Sequence, residues 1–133
     1  TLFASPRFPP CLPKVCRISP TVRLRFSPAS TYFDVIGASA CAPGRSGRLG
    51  RSVSVLGETS SAATERIAVQ FAGGPSLSLT RANRFTGAVS SSATFSCAGL
   101  GDGSGATYTA SAFAGDGTLQ RTTSGVLPFT FVD

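Results

Sequence analysis

Apolar and polar residues alternate with a period of two along most of the chain. In PTVRLRFSP (20–28), Val22, Leu24 and Phe26 alternate with Arg23 and Arg25, and Pro20 and Pro28 close the two ends. That pattern predicts one β-strand with an apolar face and a cationic face. Similar stretches predict strands in 31–41 through Phe33 and Val35, in SVSVLGE (52–58), in ERIAVQFA (65–72) and in SLSLT (76–80). Further strands are predicted in ATFSCAG (93–99), ATYTASAFA (106–114) and LPFTFVD (127–133). Residues 42–51, APGRSGRLGR, read as a Gly- and Arg-rich loop, and 81–92 as connection. No segment carries a convincing helical stripe; a helical turn near 60–66 is the one competitor.

Short strands separated by Gly-rich turns argue for an all-β fold, an immunoglobulin-like or jelly-roll β-sandwich of about 7–9 strands. The organisation expected is an extended Pro-rich N-terminal arm over 1–30 and a sandwich domain over 31–133. Five prolines in 1–20 remove backbone donors and fix φ, which disfavours a helix or a central strand there.

Composition sharpens this picture. At 133 residues there is room for one domain, and 41% hydrophobic residues suffice for a core. Only 14% of residues are charged, so Ser, Thr and Gly must cover much of the surface. The chain opens on Thr1 and holds no methionine, which suggests a processed end after removal of a targeting segment. No stretch approaches the roughly 18 apolar residues of a membrane-spanning helix. An extracellular or cell-surface location is the expectation. Net charge is +6, and eight of the twelve basic residues fall in 1–51 with Asp34 as the single acid there.

The four cysteines, Cys11, Cys16, Cys41 and Cys97, favour two disulfides. The expected pairing is Cys11–Cys16 as a local clip and Cys41–Cys97 across the core. A four-cysteine zinc site is the rival, but its second pair would normally be closely spaced too. No metal and no cofactor is expected.

The chain has no histidine, which removes Ser-His-Asp and Cys-His chemistry. No pair of acids sits where the sequence suggests facing carboxylates. Asp102 and Asp116 occupy Gly-flanked turns and would share a calcium ion only if the two turns met; plain turn residues are the simpler reading. A non-enzymatic protein is expected. Arg45, Arg48 and Arg51 form a basic cluster suited to nucleic acid or an acidic polysaccharide, with a solvated surface as the plain alternative.

The arm carries the functional expectation. An amphipathic strand bounded by prolines pairs only over its own length, and a sandwich has edges with unpaired backbone groups. Val22, Leu24 and Phe26 would fill the core of a neighbouring copy while Arg23 and Arg25 face out, in β-augmentation between copies. The alternative places 22–26 as the first strand of its own sheet. TFSCAGLGDGSGATYTASAFAGDGTLQRTT (94–123) resembles the middle of spore-coat-U-type and archaic chaperone–usher pilins. The resemblance implies an immunoglobulin-like domain polymerised by strand donation. FPPC (8–11) and SACAPG (39–44) are similar to fragments of pherophorin-type extracellular matrix domains, although this chain has fewer cysteines than a standard member. The leading expectation is a self-assembling, filament- or surface-layer-like structural subunit, with copies of itself as partners and an acidic polysaccharide as a further candidate. A viral coat protein whose basic arm meets nucleic acid, and a small carbohydrate-binding module, are the other readings.

Overall fold

The computed structural model describes residues 20–27, 31–36, 41–100 and 103–132. These form an all-β fold of eleven strands. In order they are β1 (Val22–Ser27), β2 (Tyr32–Val35), β3 (Ser46–Arg48), β4 (Val53–Thr59), β5 (Thr64–Phe71) and β6 (Ser76–Thr80). There follow β7 (Thr86–Val89), β8 (Thr94–Ser96), β9 (Gly105–Ala114), β10 (Leu119–Pro128) and β11 (Thr130–Val132). Single 3₁₀ turns lie at Arg81–Asn83 and Cys97–Gly99. The region near 60–66 is a turn leading into β5, not helix.

Three sheets are present, with orders β1-β4-β7, β11-β2-β3-β8 and β10-β9-β5-β6. The first two belong together. β2 follows β1, β4 follows β3 and β8 follows β7, so each strand of one sheet runs on into a strand of the other. They act as one layer whose long strands are interrupted midway. The four-stranded β10-β9-β5-β6 sheet is the second layer. Joining the three interrupted pairs leaves seven strands and the short β11, with the first, second and fifth in one layer and the seventh, sixth, third and fourth in the other. That is the immunoglobulin-like arrangement of the two considered. The eleventh strand leaves the second layer at buried Phe129 and adds parallel to β2, pairing Thr130 with Tyr32 and Val132 with Asp34.

Inward positions fill one continuous core. Val53 and Val55 of β4 face Ile67, Val69 and Phe71 of β5 and Leu79 of β6, all nearly or fully buried. Phe33, Phe95 and Phe129 fill the core under the second half of the interrupted layer. Each large side chain so removed from water contributes about 1.5–3 kcal/mol of transfer free energy.

Two segments read as connection turn out to hold strands. β3 lies inside the Arg-rich loop, and β7 lies inside 81–92. β10 also extends the last strand far back toward the preceding turn. In β3 the inward residue is Gly47, and the ring of Phe33 occupies the space a side chain would take: an added Cβ would come 2.1 Å from it. Gly47→Ala is expected to cost about 2 kcal/mol in urea unfolding, as overpacking of a filled site.

Cys41 and Cys97 are bonded, with Cα atoms 5.4 Å apart and a sequence separation of 56. Cys97 opens the 3₁₀ turn directly after β8, and its amide donates to the Arg45 carbonyl at 2.9 Å. The bond therefore ties the entry to β3 to the exit of β8. Cys11 and Cys16 lie outside the described residues. Replacing Cys41 and Cys97 together by Ala is expected to lower stability by about 4 kcal/mol, since a loop of that length loses much of its unfolded-state entropy when closed. Denaturant unfolding of the double variant beside the parent checks this.

Candidate functional site

β1 is an edge strand that nevertheless supplies core. It pairs antiparallel with β4 from Val22↔Thr59 to Ser27↔Ser54. The ladder continues one residue beyond its start: the Thr21 amide donates to the Ser60 hydroxyl at 2.7 Å, and the Ser60 amide to the Thr21 carbonyl at 3.1 Å. Strand alternation sends Val22, Leu24 and Phe26 inward. Val22 is buried, and Leu24 and Phe26 are half-buried against the core. The Phe26 ring lies 5.6 Å from Tyr108 and 6.5 Å from Phe71, which places β1 against both β9 and β5 of the opposite layer.

Arg23 and Arg25 point outward on the other face, and both reach one carboxylate. Glu58 of β4 sits 3.3 Å from the Arg23 guanidinium and 2.6 Å from that of Arg25. Arg23 faces it in register and Arg25 reaches it diagonally. Pairs this exposed contribute only about 0.2–1 kcal/mol each. Their structural effect is on register: a slip of one residue would turn the arginines toward the core. Charges on an edge strand also discourage indiscriminate edge-to-edge pairing. Glu58 was not singled out in the sequence as a partner of these arginines. Its outward parity in SVSVLGE is visible there, but its place opposite Arg23 depends on the β1–β4 register. A shallow concavity of about 570 Å³ opens on the same outer face, with half-buried Leu56 between Arg25 and Thr86.

The second cluster lies further along the same layer. Arg45, Arg48 and Arg51 are all exposed. Arg48 projects from β3 beside Asp34 of β2, 4.0 Å away. Arg51 stacks over the Tyr32 ring at 5.5 Å. Tyr32 is itself fixed, because its hydroxyl donates to the Gly50 carbonyl at 2.7 Å. Gly50 has φ +77°, and any Cβ there would strike the Tyr32 ring, so glycine is required for the turn that brings Arg51 over it. The platform formed by Tyr32 is a feature that sequence reasoning missed, since nothing local links residue 32 to residue 51.

The chemistry available here is strand pairing and anion attraction. Among the described residues no group of three or more His, Cys, Asp or Glu is placed to hold a metal ion. Asp116 sits in the turn after β9, where its carboxylate accepts the Thr118 amide at 2.9 Å, and hydrogen bonding from Thr118 holds it below the usual carboxylate range. Asp102 lies outside the described residues. Its neighbour Gly103 precedes β9, whereas Asp116 follows it, and the ten residues of β9 span roughly 33 Å. The turn at Gly103 and the turn at Asp116 thus stand at opposite ends of one strand, which gives no support to a shared calcium site. Among the described residues no helix is long and apolar enough to cross a membrane.

The chain matches no family model, no curated protein and no solved structure.

Burial beneath Phe26 and the core pushes the Tyr108 phenol above the ordinary tyrosine value of 10.0. The folded state therefore keeps this proton more tightly than the unfolded chain. Its contribution is fully present below about pH 10 and is lost as pH rises from there through the folded value. Tyr108→Phe is expected to flatten the fall in stability above that pH, read by denaturant midpoints in an alkaline series.

Proposed function

We propose that this chain is a non-enzymatic, extracellular structural subunit whose copies assemble by exchanging β1. One observation carries the reading: among the described residues β1 is at once an edge strand, bonded to a single neighbour, and a provider of core side chains at Val22, Leu24 and Phe26. A strand of that kind is worth the same whether it comes from its own chain or from the next. The contacts with β4, Phe71 and Tyr108 re-form unchanged in trans, so exchange loses little beyond the entropy of association. Head-to-tail exchange then propagates into a filament or closes into a ring or layer.

The sequence on either side of β1 supports this. Prolines at 20 and 28 limit the strand to the length of the β4 ladder. The likeness of 94–123 to spore-coat-U-type and archaic chaperone–usher pilins points the same way, as does the succession there of β8, Cys97, glycine and β9 ending in a Gly-rich turn. In this chain the seventh long strand is present and β1 lies in its own sheet. Assembly would thus be a swap between complete sandwiches instead of the filling of a vacant groove. The Cys41–Cys97 bond supports an oxidising, extracellular compartment.

Arg25 and Leu56 are direct cross-strand partners, which gives a clean test. Cysteines placed at both positions by Arg25→Cys and Leu56→Cys bond within one chain if β1 stays at home and between chains if it is exchanged. Under oxidising, non-reducing electrophoresis of concentrated protein, a covalent ladder of multimers is expected. A single monomer band carrying the new bond at every concentration would end the proposal.

A further inference from the structure

We propose that the corner of the interrupted layer bearing Arg45, Arg48 and Arg51 is a binding surface for a linear acidic polysaccharide, engaged through its carboxylate or sulfate groups. The five outward or exposed arginines of this layer divide into two sets by what surrounds them. Arg23 and Arg25 converge on Glu58 at 3.3 and 2.6 Å, which offsets one of their two charges within the chain. Among the described residues, the acid placed beside the other three is Asp34. That carboxylate approaches Arg48 no closer than 4.0 Å, with both side chains well exposed. Among the described residues, three guanidinium groups within seven positions thus meet one carboxylate.

The three are mounted on a rigid base. The Arg45 amide donates to the Ala42 carbonyl at 3.0 Å, and its own carbonyl accepts the amide of disulfide-bonded Cys97. Arg48 stands on β3, which is hydrogen-bonded on both sides, to β2 and to β8. Arg51 is laid on the Tyr32 ring, which Gly50 accommodates. Backbone positions fixed in this way lower the ordering cost of binding. The planar guanidinium fork matches carboxylate and sulfate oxygens, and three of them along one segment match a chain polymer better than a small ion.

Two observations favour an acidic glycan over nucleic acid. The Cys41–Cys97 bond belongs to an oxidising compartment. Tyr32, the aromatic ring at this corner, already carries Arg51 on its face, so it does not offer the open platform on which bases stack.

The test uses the full chain on immobilised dextran sulfate, polygalacturonate and neutral dextran, at fixed low salt and then in a salt gradient. Retention by at least one charged polymer and none by dextran is expected; which of the two retains it identifies sulfate or carboxylate as the preferred group. Arg48→Gln with Arg51→Gln is expected to weaken binding about tenfold. Arg66→Gln with Arg121→Gln removes the same charge from the other layer and is expected to change it by less than about threefold. Should the first pair loosen the fold, as judged by its melting curve, Arg45→Gln with Arg48→Gln leaves the Tyr32 contact intact and is expected to show a similar loss. Equal losses from the two layers would reduce the effect to net charge and overturn the proposal. So would no retention on either charged polymer, or tighter binding to single-stranded DNA at the same salt. None of these outcomes depends on whether β1 is exchanged.

Discussion

A seam of aromatic rings holds this sandwich together. It begins at Phe26 in β1, crosses to Phe71 and Tyr108 in the opposite layer, and returns through Phe95 to Phe33. From Phe33 it reaches Phe129 and Phe131 at the end of the described chain. Neighbouring centroids are 4.8–6.5 Å apart, mostly edge-to-face. Such pairs add about 0.5–1.5 kcal/mol beyond the area they bury. The seam touches both layers and both halves of the interrupted one. With no tryptophan and no methionine in the chain, these rings are the large side chains that span the gap between layers.

The seam also explains why the interrupted layer can break midway without coming apart. β1 is anchored by Phe26, and the strands beyond the break by Phe33 and Phe95, so each half has its own grip on the shared core. The disulfide adds a covalent tie at the far end, between the entry to β3 and the exit of β8. What remains on the outer face is free to carry charge. Near β1, Glu58 offsets one of two charges at close range. Beyond the break, among the described residues, one carboxylate stands near three arginines, and Asp34 meets Arg48 only at the edge of contact. The edge strand and the basic corner thus share a layer yet differ in what they present: one a backbone ladder and inward rings, the other a cluster of exposed guanidinium groups on hydrogen-bonded backbone.

Strands with apolar inward residues were legible along the chain. β1, β4, β5, β6 and β9 all fall where alternation places them, because Val, Leu, Ile, Phe and Tyr at every second position declare the buried face. β3, β7 and the first part of β10 were not legible, and they share a feature. Each presents a glycine inward, at Gly47, Gly87 and Gly125, and a large neighbouring side chain fills the space above it: Phe33, Leu79 and Tyr108. A period-two reading counts apolar side chains, so it passes over a strand whose inward contribution is room for someone else's. Of the candidate site, the two-faced character of 22–26 and the basic cluster at 45–51 were visible. Glu58 beneath two arginines and Tyr32 beneath Arg51 were not, since each depends on a register between distant segments.

The sequence by itself determined the all-β class, the two faces of β1, and the availability of Cys41 and Cys97 for a bond, because these follow from residue type and local period. The tertiary structure decided the rest: which strands neighbour which, that three long strands break and continue as a second sheet, and which arginines lie against which carboxylates. Those outcomes turn on contacts between residues tens of positions apart, where the volume of one ring, the absence of a side chain on one glycine, or the register of one ladder selects the partner. Local pattern carries no record of that choice.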